Sequence, residues 1–111
     1  MASLKPHELA VLEVLISKVI PEDILQEIKN DPHISAYDVT GNGYFLTIKH
    51  PRLPEKRIVC DKPLLIGESG GIETGFIVFI EKRELTIECH SWGDLQIPPN
   101  YRESEVRIRK P

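Results

Sequence analysis

GFIVFIEKRELTIECHSW, residues 75–92, holds two runs of period two around a short charged turn. In the first run Phe76, Val78 and Ile80 share one face while Ile77, Phe79 and Glu81 share the other, so it is apolar on both sides until its last residue. That pattern predicts a central strand covered on both faces. In the second run Leu85, Ile87 and Cys89 point one way, and Thr86, Glu88, His90 and Trp92 the other. Such alternation predicts a strand with one buried and one wet face. Lys82, Arg83 and Glu84 supply the turn of a β-hairpin.

Around this hairpin the composition sets limits. A chain of 111 residues is long enough to bury one core without staples. Hydrophobic residues make up 41% and charged residues 28%, which is ordinary for a globular domain and excludes a fibrous or low-complexity chain. A net charge of -3 gives no broad basic field, so neither nucleic acid nor anionic lipid is an expected partner. The two cysteines, Cys60 and Cys89, are too few for a secreted disulfide scaffold, and a reduced cytoplasmic pair is the expectation. The apolar stretch from Leu9 to Ile20 is interrupted by Glu13 and Lys18 and leads into acidic residues, so it reads as neither signal peptide nor membrane span.

Upstream, Pro6 marks a helix start, since proline pre-sets φ and loses only an amide that lacks a partner there. Leu9, Leu12, Leu15, Ile16 and Val19 form an apolar stripe, with Glu8, Glu13, Ser17 and Lys18 placed elsewhere. Pro21 ends that helix, and Ile24, Leu25 and Ile28 outline a second, short one with Glu22 and Asp23 at its positive end. From His33 the period changes to two, with Ile34, Ala36 and Asp38 opposed to Ser35, Tyr37 and Val39; Gly41, Asn42 and Gly43 then predict a hairpin turn before Tyr44, Leu46 and Ile48. HPRLPEK, residues 50–56, reads as a surface loop, Arg57 to Cys60 as a third strand, and Leu64 to Ile66 as an edge or separate strand beyond Pro63. GESGGIETG, residues 67–75, reads as a flexible connection, and Glu105 to Lys110 as a last strand with a charged outer face. The sum is a single α+β domain over 1–111: an N-terminal helix or helix pair packed on one face of an antiparallel sheet of about five or six strands.

Chemistry is harder to find. Cys89 and His90 are neighbours, but adjacent strand side chains point to opposite faces, and Cys89 shares its face with core residues. Neither cysteine has zinc-ligand spacing, and His7, His33 and His50 lack partners at metal-ligand spacing, so no metal or cofactor is expected. Gly67, Gly70, Gly71 and Gly75 lack the lysine and hydroxyl of a phosphate loop. Arg102, Arg107, Arg109 and Lys110 are interleaved with Glu103 and Glu105, which suits a solvated edge better than a phosphate footprint. What remains is the wet face of the second hairpin strand. Glu88, His90 and Trp92, extended by Asp94, put a carboxylate, an imidazole and an indole together as a recognition patch. The competing reading is a small enzyme or ligand-binding domain that uses Cys89 or His90 with Glu88 in a pocket between helix and sheet.

GYFLTI at 43–48 and GFIVFIEKRELTIECHSWG at 75–93, with the order of elements, resemble small single-domain bacterial proteins of unassigned function, some of them immunity-protein-like. The resemblance implies a compact cytoplasmic binder of a protein partner, with an acidic surface suited to a basic toxin domain, and transfers no catalytic residue. Edge strands that could pair in a homodimer are part of the same expectation.

Overall fold

A computed structural model describes residues 3–93 and 96–111. Two helices, α1 (Pro6–Ile16) and α2 (Glu22–Asn30), come first. The strands are β1 (His33–Thr40), β2 (Gly43–Lys49), β3 (Ile58–Cys60), β4 (Ile66–Ser69), β5 (Ile72–Glu81), β6 (Glu84–Ser91) and β7 (Arg107–Arg109), with a 3₁₀ turn at Tyr101–Glu103 before the last. Every strand pair is antiparallel. The sheet runs β1-β2-β6-β5-β4-β7, and β3 pairs with β5 beside that path. This is the expected α+β arrangement, with seven strands among the described residues in place of five or six.

Pro6 opens α1 as the sequence predicts, and the Lys5 amide donates to Glu8 Oε1 at 2.8 Å. The buried face differs from the expected stripe. It consists of His7, Glu8, Val11, Leu12, Leu15 and Ile16, two adjacent positions in each of three successive turns. Val19 lies beyond the helix end and is 39% exposed. Pro21 stands just before α2, whose Ile24, Leu25 and Ile28 join the same core.

The extra strand comes from GESGGIETG, which is a hairpin and not a flexible connection. Gly70 (φ 59) and Gly71 (φ 83) form its two-residue turn, a left-handed pair that matches the twist of the flanking strands. Lys82 (φ 55) and Arg83 (φ 60) adopt the same handedness between β5 and β6, at a cost of about 1 kcal/mol or more each. The expected first-hairpin alternation is also corrected, because a bulge falls between Ile34 and Ala36. The added residue, Ser35, lets both Ile34 and Tyr37 turn toward the core despite their odd spacing.

The core lies between the helices and one sheet face, where Tyr44, Leu46, Ile48, Phe76, Val78, Ile80, Leu85, Ile87 and Cys89 are all buried. Each fully buried Leu or Ile contributes about 1.5–3 kcal/mol of transfer free energy. The parity read from the sequence for β6 therefore holds. The double coverage expected of β5 does not, since Ile77 and Phe79 on its other face are only half-buried. Arg102, read as part of a solvated edge, is buried beside Glu8. Among the described residues no helix is long and apolar enough to cross a membrane.

Candidate functional site

The sheet face turned away from the helices carries the residues singled out in β6. Strand pairing lays them out as rows perpendicular to the strands, each formed by directly opposed residues about 5 Å apart at Cβ. One row is Asp38, Phe45, Glu88 and Ile77, crossing β1, β2, β6 and β5. The next toward the β5–β6 turn is Thr47, Thr86, Phe79 and Val59, in which the two threonine hydroxyls lie 3.1 Å apart. On the other side, His90 lies between Gly43 and Gly75.

That glycine neighbour shapes the patch. A Cβ on Gly75 would stand 2.6 Å from His90 Nε2 and 3.3 Å from Trp92 Nε1, so the imidazole and the indole occupy the space left by the missing side chain. The two rings are 6.0 Å apart at their centroids and tilted by 59°. Trp92 is 42% exposed, which places it outside the core. Asp94 lies outside the described residues, so the patch as described here is Glu88, His90 and Trp92.

Charge on this face is unevenly matched. Glu68 pairs with Arg107 at 3.3 Å, Glu73 with Arg109 at 2.7 Å, Glu81 with Arg57 at 3.4 Å and Glu84 with Lys49 at 3.8 Å. Glu88 is different. No lysine or arginine lies within ion-pair range of it among the described residues, and its nearest titratable neighbour is His90, with Nδ1 3.7 Å from Glu88 Oε2, beyond hydrogen-bond range. His90 Nδ1 is itself buried without a hydrogen-bond partner among the described residues. Asp38, two strands away in the same row, is exposed and has no cationic partner among the described residues. A groove of 420 Å³ opens beside these residues, lined by Phe45, Phe79, Thr86 and Glu88, with Arg57 and Lys82 also on its wall beside Glu81 and Glu84. Arg57 also lies over the Phe79 ring, 5.1 Å from its centroid.

Sequence reasoning found Glu88, His90 and Trp92 but missed Asp38, Phe45, Ile77 and Phe79. Those four join the patch only through cross-strand register, which no single strand records.

Other candidates are chemically quiet. Cys89 is 2% exposed on the core face, opposite Glu88 and His90, and burial pushes its thiol up to about 12, so no thiolate forms near neutrality. Cys60 and Cys89 are both free thiols. No group of three or more histidine, cysteine or acidic residues suited to a metal occurs among the described residues. A second cleft, of 620 Å³, lies at the end of the sheet beside His33, Lys49, His50 and Arg83. Two of its polar side chains are already partnered: His50 Nε2 is 2.8 Å from Glu27, and Arg83 is 2.9 Å from Glu55. No family model, no curated protein and no solved structure matches this chain.

Proposed function

We propose that this chain is a non-enzymatic protein-interaction module that offers the open face of its sheet, centred on Glu88, His90 and Trp92, to a protein partner. The observation that carries this reading is the half-exposed indole packed on His90 over Gly75, on a face that no helix covers among the described residues. Aromatic side chains in such positions supply much of the binding energy of interfaces, whereas a strand that needed only to be solvated would gain nothing from an indole there. An immunity-type protein, which holds and neutralises its partner, is the form of module that the resemblance suggests. Two free thiols suit a reducing, cytoplasmic setting. The enzyme reading is weaker because Cys89 is buried and faces away from His90 and Glu88.

Site-specific photocrosslinking in the cells that make the protein tests the proposal. A photoreactive residue at Trp92 or Thr47 should capture a discrete protein adduct, while the same residue at Lys18, on the helical side, should not. Adducts from Lys18 alone, or none from the sheet positions, would overturn it. Adducts whose mass equals two copies of this chain would identify self-association, for which the edge strands β1 and β7 leave unpaired ladder groups.

A further inference from the structure

We infer that the partner presents an arginine, whose guanidinium lies on the Phe45 ring and donates to Glu88, with Asp38 adding a second negative charge beyond the ring. The inference rests on the interaction reading above and names the chemistry of the group that the face receives.

The first support is charge complementarity. Glu68, Glu73, Glu81 and Glu84 on the open face each have a lysine or arginine of this chain beside them, whereas Glu88, with only the His90 ring nearby, and Asp38 have neither, among the described residues. Both stand in one row on either side of Phe45. Glu88 is also only 23% exposed at its side chain, between Phe45 and Ile77, where water screens its charge less than at a free surface. A half-buried carboxylate with no lysine or arginine beside it gains more from an incoming cation than an exposed one does.

The second support is that the same face already contains a filled version of this arrangement. Arg57 lies over the Phe79 ring at 5.1 Å, and its guanidinium reaches Glu81 at 3.4 Å. Aromatic ring, guanidinium and carboxylate are thus assembled within the chain one row away. Phe45 and Glu88, directly opposed across β2 and β6, repeat the ring and the carboxylate without the guanidinium. The groove between the two sets is lined by both phenylalanines with the short Thr86 between them, so a flat group can reach the Phe45 side. Arginine suits this better than lysine, because a planar guanidinium can stack on a ring while its N–H groups point sideways to a carboxylate.

Amide NMR titration with terminally blocked tripeptides Leu-Arg-Leu, Leu-Lys-Leu and Leu-Glu-Leu reads the inference directly. The arginine peptide should shift the amides of Asp38, Phe45, Ile77 and Glu88. Its affinity should fall about tenfold in Glu88→Gln, and the glutamate peptide should leave these amides unmoved. Unchanged affinity in E88Q, or equal binding of the glutamate peptide, overturns the arginine assignment while leaving the interaction surface standing. Preference for the lysine peptide overturns the stacking geometry. Absence of open-face shifts with every peptide overturns the assignment as well, and photocrosslinking at Trp92 then decides separately whether the face binds a protein. E88Q lies outside the core, so its thermal transition serves as the folding control.

Discussion

Glu8 and Arg102, 94 residues apart, form a two-pronged ion pair inside the core: Arg102 Nε donates to Glu8 Oε2 at 2.7 Å and Nη2 to Glu8 Oε1 at 2.9 Å. Their side chains are 0% and 1% exposed respectively. The pair is anchored on several sides. Tyr44 donates its hydroxyl to Glu8 Oε2 at 2.7 Å, Arg102 Nη2 donates to the Ser3 carbonyl at 3.2 Å, and the guanidinium sits 5.5 Å from the Tyr37 ring centroid. The first helix and the segment before the last strand are therefore clasped together over β1 and β2.

Breaking that clasp on one side leaves a buried charge without its main counter-charge. Glu8→Gln keeps the shape but leaves Arg102 with the more distant carboxylate of Glu103 at 3.6 Å, and urea unfolding should show a loss of about 3 kcal/mol. Replacing both residues, as Glu8→Leu with Arg102→Met, should cost clearly less than the sum of the single changes, because neither charge is then orphaned. Additive losses in the double-mutant cycle would show that the two residues act independently.

His7 gives the clasp a pH dependence. Burial is the main cause holding its pKa below the ordinary 6.5; neighbouring Arg102 and Lys5 push the same way, and Glu8 and Glu103 oppose. Its Nε2 also lies 2.9 Å from the Tyr44 hydroxyl. The folded protein thus takes up this proton less readily than the unfolded chain. The stability due to neutral His7 is present above pH 6.5 and declines as the pH falls below that value toward the depressed folded pKa. Unfolding free energies measured from about pH 7.5 to 5 should slope downward toward acid, and more gently in His7→Gln. Equal slopes in the two proteins would exclude His7 as the source.

Cys89 should behave as a packing residue. Burial raises its thiol pKa to about 12, and the side chain faces Leu85 and Ile87 along β6. In a Cys60→Ser background, a thiol reagent at mildly alkaline pH should label Cys89 no faster than the protein opens, and at once after unfolding in urea. Immediate labelling of the folded protein would revive the enzyme reading.

Much of this fold could be read from local pattern. The two hairpins around Gly41-Asn42 and Lys82-Arg83, the second helix that starts after Pro21 and the inward parity of Leu85, Ile87 and Cys89 all depend on residues near one another in sequence, although the first helix stops at Ile16, short of the Pro21 end expected for it. The errors arose where distant segments decide the outcome. Ile77 and Phe79 are apolar enough for a covered face, yet both helices lie on the other side of the sheet. Arg102 looked solvated because its partner is at the opposite end of the chain. One signal was present but unread: positions 7 and 8 continue the 11/12 and 15/16 doublets of α1, so His7 and Glu8 lie on the apolar stripe despite their polarity. For the patch, Glu88, His90 and Trp92 follow from alternation within β6, whereas Phe45 and Asp38 require the β1–β2–β6 register.

Gly75 offers a way to disturb the patch without touching the core. A methyl group there would fall 2.6 Å from His90 Nε2 and 2.9 Å from His90 Cε1, both at the outer end of a side chain that can swing away. Gly75→Ala should therefore change stability by no more than about 1 kcal/mol, with restricted unfolded-chain freedom offsetting the displaced contact. The indole should respond far more than the fold does. Trp92 is the single tryptophan of the chain, so its emission reports this site alone. In G75A the emission should move to longer wavelength and acrylamide quenching should increase, because the imidazole that supports the indole has been pushed aside. Circular dichroism should be unaltered. An unchanged tryptophan signal would mean that His90 does not hold Trp92 in place, and that Gly75 has no part in presenting the indole to a partner.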